Sequence, residues 1–385
     1  MKKLLATILA GAAAFGLLLV AARDGESQGS PSALPKSFAV PSDNPSSPEK
    51  VALGRLLFWD PILSGNRDVA CATCHHPRFG YSENRDISIG VNGAGLGNNR
   101  EFAIPNSIPF VKRNSQTILN VAFNGLDETG RYNPSKAPMF WDLRVQSLET
   151  QALEPIKSFE EMRGNAYPED RALETVVSRL RAFEEYRTLF AKAFGSEQVI
   201  DVRNVGKALA AFQRSLIANN SPFDRYMRGD TGAMTQAQIR GMRRFERVGC
   251  ANCHNGPMFS DYKVHVLSVP ENPRLPEPDR GTDETHAFRT ASLRNLAYTA
   301  PYMHSGVFET LGDVVEFYDD IERSRSQNPN VRNQQLDPLV RRLNVGGRRE
   351  LVEFLNALND DSFDRTIPQR VPSGLPPGGS IRNSN

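Results

Sequence analysis

Apolar residues recur at helical spacing along much of this chain, and the helices they predict fall into two similar sets. In MTQAQIRGMRRFERVG, Thr235 and Gln238 form a capping box, and Ile239, Met242 and Phe245 line one face. PEKVALGRLLFWD, far upstream, carries Gly54 and Phe58 at the spacing of Gly241 and Phe245, a weak internal repeat. Each half then closes on an amphipathic helix. RNVGKALAAFQRSLIANN aligns Val205, Leu209, Phe212 and Leu216. RRELVEFLNALND aligns Leu351, Phe354, Leu355 and Leu358. A further helix starts at TLGDVVEFY, where Thr310 and Asp313 cap it and Leu311, Val314, Val315 and Tyr318 share a stripe. Alternating strand patterns are few. Gly-, Asn- and Pro-rich loops fill residues 82–110 and 268–285.

The pattern predicts a mostly α chain of two domains, residues 45–220 and 221–367, joined near SPFDRYMRGD. A Pro-, Gly- and Ser-rich tail covers 368–385, and a polar segment expected to be flexible covers 23–44. Residues 1–22 read as an export signal: two lysines, an apolar run from Leu4 to Ala22, and small residues at its end. An uncleaved membrane anchor is the alternative, and otherwise no membrane association is expected. The lysine-led signal points to a bacterial periplasm. Charge changes little in this picture: 46 basic residues balance 44 acidic ones, which gives no reason to expect a nucleic-acid partner.

The four cysteines decide the chemistry. They occur as Cys71-Ala72-Thr73-Cys74-His75 and Cys250-Ala251-Asn252-Cys253-His254, two CxxCH motifs. In c-type haem attachment the two thiols become thioethers and the adjacent histidine becomes the proximal iron ligand. Two covalently bound haem c groups are therefore expected, on His75 and His254. The alternative, one zinc ion on all four cysteines, fits poorly with motifs so far apart.

The six histidines are His75, His76, His254, His265, His286 and His304. His76 adjoins the ligand His75 and cannot reach the opposite face of the same haem, and none lies between Pro77 and Cys253, so the first haem has no histidine in its own domain for its sixth position. Met139 or Met162 could serve, though a methionine is more often core. A haem open on one side can bind a small oxidant, which makes the first haem the candidate reaction centre. For the second haem, Met303, His304 and Tyr318 all come near the same helix start, and spacing alone favours a core tyrosine at Tyr318 over a ligand.

Taken together, the two CxxCH motifs, RNSQTILN (113–120), FWDLRVQSLETQALEPI (140–156) and APYMHSGVFETLGDVVEFY (300–318) resemble the bacterial dihaem cytochrome c peroxidase family, which includes the MauG type. The resemblance spans nearly all of the chain after the signal. It implies two cytochrome c-like haem domains packed around an interdomain region, and a reaction with hydrogen peroxide at the first haem. It implies that Trp141 lies between the haems, that Glu161 is an acid–base residue, and that Gln151 shares the distal region. A carboxylate over an open iron can shuttle the peroxide proton. The resemblance also implies a calcium ion held by the Asn114 side chain and the carbonyls of Thr299 and Pro301, oxygen donors that suit calcium.

Two departures from many members of the family follow. Position 91, where they carry a second histidine ligand of the first haem, is Val91, so that haem is expected to be open without reductive activation. Position 318, where they carry an axial methionine, is Tyr318, the MauG-type pattern, and helix phase agrees with it as the ligand. Met303 would then pack nearby, and His304 would bond a propionate or line the interdomain region. An insertion, GLDETGRYNPSKAPM, precedes Trp141. Three functions compete: a peroxidase fed by a small periplasmic electron donor (a cytochrome c or a cupredoxin), a MauG-type enzyme that oxidises side chains of a partner protein, and a non-catalytic dihaem electron-transfer cytochrome.

Overall fold

A computed structural model describes residues 30–196, 199–323 and 325–381. The predicted signal, residues 1–22, lies outside them. No helix among the described residues is long and apolar enough to cross a membrane.

The longer helices are α1 (Pro48–Trp59), α2 (Ala172–Arg181), α3 (Glu184–Phe194), α4 (Val202–Arg214), α5 (Gln236–Arg247), α6 (Leu311–Glu322) and α7 (Arg348–Asn356). Their starts follow from side-chain capping. Ser47 accepts the Lys50 N–H at α1, with Pro48 at the first helical position. At α5, Thr235 accepts the Gln238 N–H at 3.2 Å while Gln238 accepts the Thr235 N–H at 2.9 Å. Thr310 and Asp313 do the same at α6. Strands are confined to short antiparallel pairs, among them Val264–Val266 with Ala287–Arg289.

Two hydrophobic cores form. One gathers Leu53, Leu57 and Phe58 of α1 against Val205, Leu209 and Phe212 of α4. The other gathers Ile239 and Phe245 of α5 against Leu351, Phe354 and Leu355 of α7. The weak sequence repeat has a steric basis. A Cβ on Gly54 would come within 2.0 Å of the Ala208 carbonyl oxygen, and one on Gly241 within 2.0 Å of the Glu350 carbonyl oxygen. Only glycine lets either helix pair close this far. The phenyl rings one turn on meet alike, Phe58–Phe212 at 5.1 Å and Phe245–Phe354 at 5.2 Å. Asn120 and Asn295 repeat the theme. Each sits in the left-handed region and accepts a backbone N–H beyond the closing helix of its half, from Ala218 and Asp360.

Chain ends tie the halves together. The Leu34 N–H reaches Asp224, which is ion-paired with buried Arg294 at 2.7 Å. The tail crosses back onto the first half. Phe363 and Val371 join its core, Ser373 bonds Asp60, and the Gly378 carbonyl accepts the Thr73 hydroxyl between Cys71 and Cys74.

Candidate active site

Each CxxCH motif opens onto its own cavity. Cys71, Cys74 and His75 line one of about 450 Å³. Cys250, Cys253 and His254 line another of about 250 Å³. None of the four cysteines is in a disulfide, so each sulfur is available for a thioether. The two cysteine pairs face different cavities, which rules out one zinc ion on all four.

Both histidines are held the same way. His75 Nδ1 lies 3.1 Å from the Tyr81 carbonyl oxygen, and His254 Nδ1 lies 2.9 Å from that of Phe259. A carbonyl only accepts, so Nδ1 carries the proton and Nε2 keeps its lone pair. Burial lowers both pKa values, which keeps the rings neutral. Tyr81 and Phe259 both adopt positive φ, turning their carbonyls back onto the imidazoles. Two neutral imidazoles, each beside a thiol pair and an apolar-walled space, fit a haem c in each cavity.

The first cavity also has polar groups on its wall. Gln151, Glu160, Glu161, Arg144 and Trp141 line it, and His75 is its only histidine. Glu161 sits in a π-helical turn, Phe159–Arg163, closed by the Arg163 N–H on the Ser158 carbonyl. The Val91 N–H donates to the Glu161 carbonyl at 3.0 Å, so the chain at position 91 holds the backbone of this glutamate. Burial pushes the Glu161 carboxyl up to about 7, with neighbouring Glu160 adding to the shift and Arg144 opposing it. What surface Glu161 keeps faces the cavity. Met139 and Met162 also border this space, but both are buried in core, and the Met139 sulfur accepts the Asn124 amide at 3.6 Å.

The second cavity is mostly apolar. Tyr318 projects from α6 into it, beside Met303, Leu267 and Val314. Burial raises the phenol pKa, and its hydroxyl makes no hydrogen bond among the described residues. His304 stacks on Phe288 at 3.5 Å and meets Trp141 edge-on at 6.3 Å. Burial pushes it down to about 3, so it is neutral.

Trp141 borders both cavities. Its indole N–H donates to the Asn114 carbonyl at 2.9 Å, and its carbonyl accepts the Arg289 N–H at 2.7 Å. Asn114, Thr299 and Pro301 all line the second cavity. The Asn114 amide nitrogen donates to the carbonyls of Arg85 and Asp86, which leaves its oxygen as the free acceptor.

Sequence reasoning counted His265 but gave it no role. It is clamped between Asp337 at 2.7 Å and Asp261 at 2.9 Å. Burial opposes its charge, but the bonds to Asp261, Cys253 and Asp337 carry it up to about 11. Asp261 four residues before His265 was the available signal. Cys253, Asp261 and His265 also approach metal-binding distance, but Cys253 belongs to the haem attachment motif.

Comparison with known proteins agrees with this geometry. Residues 48–232 match the family model described as di-haem cytochrome c peroxidase. The chain is 34% identical to methylamine utilization protein MauG of Methylorubrum extorquens over 340 residues, covering 87% of this chain and 85% of that one. It is 35% identical to cytochrome-c peroxidase IdrP1 of a Pseudomonas species, covering 83% of each. A solved structure, a MauG-like protein associated with microbial copper homeostasis, superposes with a TM-score of 0.68 at 28% identity, covering 86% of this chain and 95% of that one. The chain therefore belongs to the di-haem cytochrome c peroxidase and MauG family, and is a peroxide-using haem oxidoreductase that carries two haem c groups.

Proposed function

We propose that this chain is a periplasmic peroxidase that reduces hydrogen peroxide at the His75 site and shares the oxidising equivalents with a second haem held by His254 and Tyr318. One observation carries the reading: the cavity at His75 holds a glutamate poised near neutrality and no second histidine, while the cavity at His254 receives a half-buried tyrosine with no hydrogen-bond partner among the described residues. The bound haems supply iron that binds peroxide and takes up its oxidising equivalents. Glu161, ionised in part at neutral pH, accepts the proton of the incoming peroxide and returns it to the leaving oxygen. Gln151 orients peroxide beside it. Trp141 is the residue both sites share. Tyr318 donates as a phenolate, a hard anionic ligand that lowers the reduction potential, unlike a thioether. Asn114, Thr299 and Pro301 hold calcium, and residues 1–22 direct export.

A reductive spectroelectrochemical titration of the holoenzyme tests this reading. Both haems reduce only at low potential, and Tyr318→Phe alters the spectrum of the second haem alone. One haem reducing far above the other in the wild type would assign the second haem to Met303 and remove Tyr318 from the site. Calcium is tested separately: EGTA lowers peroxide turnover and added calcium restores it, whereas unchanged turnover would delete the ion from the reading.

The MauG-type reading, oxidation of side chains in a partner protein, is favoured by Tyr318, since a low-potential second haem suits storage of an oxidising equivalent better than relay from a high-potential donor. Reduced cytochrome c or cupredoxin separates the two. Rapid peroxide-driven oxidation of either supports the peroxidase, and stable retention of oxidising equivalents in their presence supports the MauG type.

A further inference from the structure

Two guanidinium groups near Arg289 have carboxylate partners. Arg294 pairs with Asp224, and Arg113 pairs with Asp142 and Asp279. Arg289 is different. It is 9% exposed, it ends the strand Ala287–Arg289, and it borders both haem cavities. Its Nη1 donates to the Pro138 carbonyl at 2.9 Å and its Nη2 to the Gln116 side-chain oxygen at 3.1 Å, both neutral acceptors. Its Nε is buried with no partner. No ion pair to Arg289 occurs among the described residues. Asp142, the nearest acidic influence, is committed to Arg113 and Arg144.

An uncompensated buried charge costs several kcal/mol. Here burial pushes the guanidinium down to about 10. A lysine would shed its proton in such a place, but arginine stays charged at neutral pH and needs an anion. The fork also matches a carboxylate bidentately, and the open Nε is half of that face.

We infer that Arg289 is the anchor for a haem propionate: the guanidinium, sealed between the two cavities without a carboxylate of the chain, takes its counter-anion from the cofactor. Its position on both walls leaves either haem as the source. Gln116, which borders both cavities too, holds the guanidinium plane. Arg289 also steadies Trp141, whose carbonyl accepts the Arg289 main-chain N–H, so the propionate, the cation and the indole form one unit at the interdomain boundary. A buried cation beside a haem favours the reduced state, so Arg289 raises the potential of the haem it holds.

The inference rests on the two haems and not on Tyr318, and the test compares each variant with wild type, so a high-potential second haem leaves it intact. Arg289→Met and Arg289→Lys holoenzymes are prepared, with haem content measured. In Arg289→Met the midpoint potential of one haem falls and its propionate-bending resonance Raman bands shift; which haem moves names the source. Arg289→Lys gives a smaller fall in the same direction. Unchanged potentials with both haems attached would overturn the proposal. A lower potential with unshifted propionate bands would overturn it too, since the cation would then act only across space. Should Arg289→Met fail to load both haems, Arg289→Lys decides: whether or not the ammonium holds its proton beside the propionate, it loses the fork, and unshifted propionate bands in it would refute the anchor.

Discussion

The two halves share a proximal frame and differ on the distal side. In both, a glycine lets two helices touch, a phenylalanine pair follows, and a carbonyl five or six residues past the histidine fixes its tautomer. Glu161 and Gln151 line the first cavity with His75; Tyr318 and Met303 line the second with His254. The frame around each histidine is therefore common to the halves, and the rest of each cavity wall is free to diverge. Gln151 comes from a one-turn helix, Leu148–Gln151, Glu161 from a π-helical turn, and Tyr318 from a regular helix, so each could change without disturbing the shared frame.

The largest effect that would sharpen this contrast is at Glu161. Glu161→Gln removes the proton acceptor and lowers the rate constant for peroxide by about 10²-fold or more while both haems stay attached. Stopped-flow kinetics at wild-type speed in that variant would remove the glutamate from the mechanism. The shared frame is broken most directly at its glycines. Gly54→Ala and Gly241→Ala each force a methyl against a backbone carbonyl and destabilise by about 1–3 kcal/mol net of the gain in helix propensity. Denaturant unfolding should give similar losses at the two sites, and a marked inequality would show the halves to be less alike than their contacts.

A smaller effect concerns pH. Glu161 acts as a base only when ionised, so with its carboxyl pushed up to about 7 the peroxide rate constant falls as pH drops through 7. The fall reaches about tenfold one unit below and is absent in Glu161→Gln. A flat wild-type profile would contradict this. The smallest effect is at Met303. Met303→Leu conserves volume and leaves the spectrum and potential of the second haem unchanged. A lost or shifted band would make Met303 the ligand and reverse the assignment of Tyr318.

Much of the frame was legible in the sequence. The capping boxes at Thr235 and Thr310 and the stripes on α4 and α7 are local signals, read within one or two turns. The attachment motifs are contiguous and use every cysteine, so two haems were readable without a fold. The repeat was visible only as Gly54 and Phe58, because its real content is a contact between α1 and α4 and between α5 and α7, and each pair is distant in sequence. Glu161, Gln151 and Trp141 had no local signal. Alone, Trp141 reads as a core aromatic and Glu161 as a surface charge, and only family resemblance singled them out. His265 and Arg289 were missed for the same reason: their partners Asp337, Pro138 and Gln116 come from remote segments.

That two c-type haems attach was readable from the chain alone, because each attachment motif is written in five adjacent residues. Only the tertiary structure decided which groups meet across the cavities. It put Glu161 where burial brings its carboxyl near neutrality, set Trp141 on both walls, and left Arg289 without a carboxylate. These depend on desolvation and on contacts between segments hundreds of residues apart, and neither is a property of any local stretch of chain.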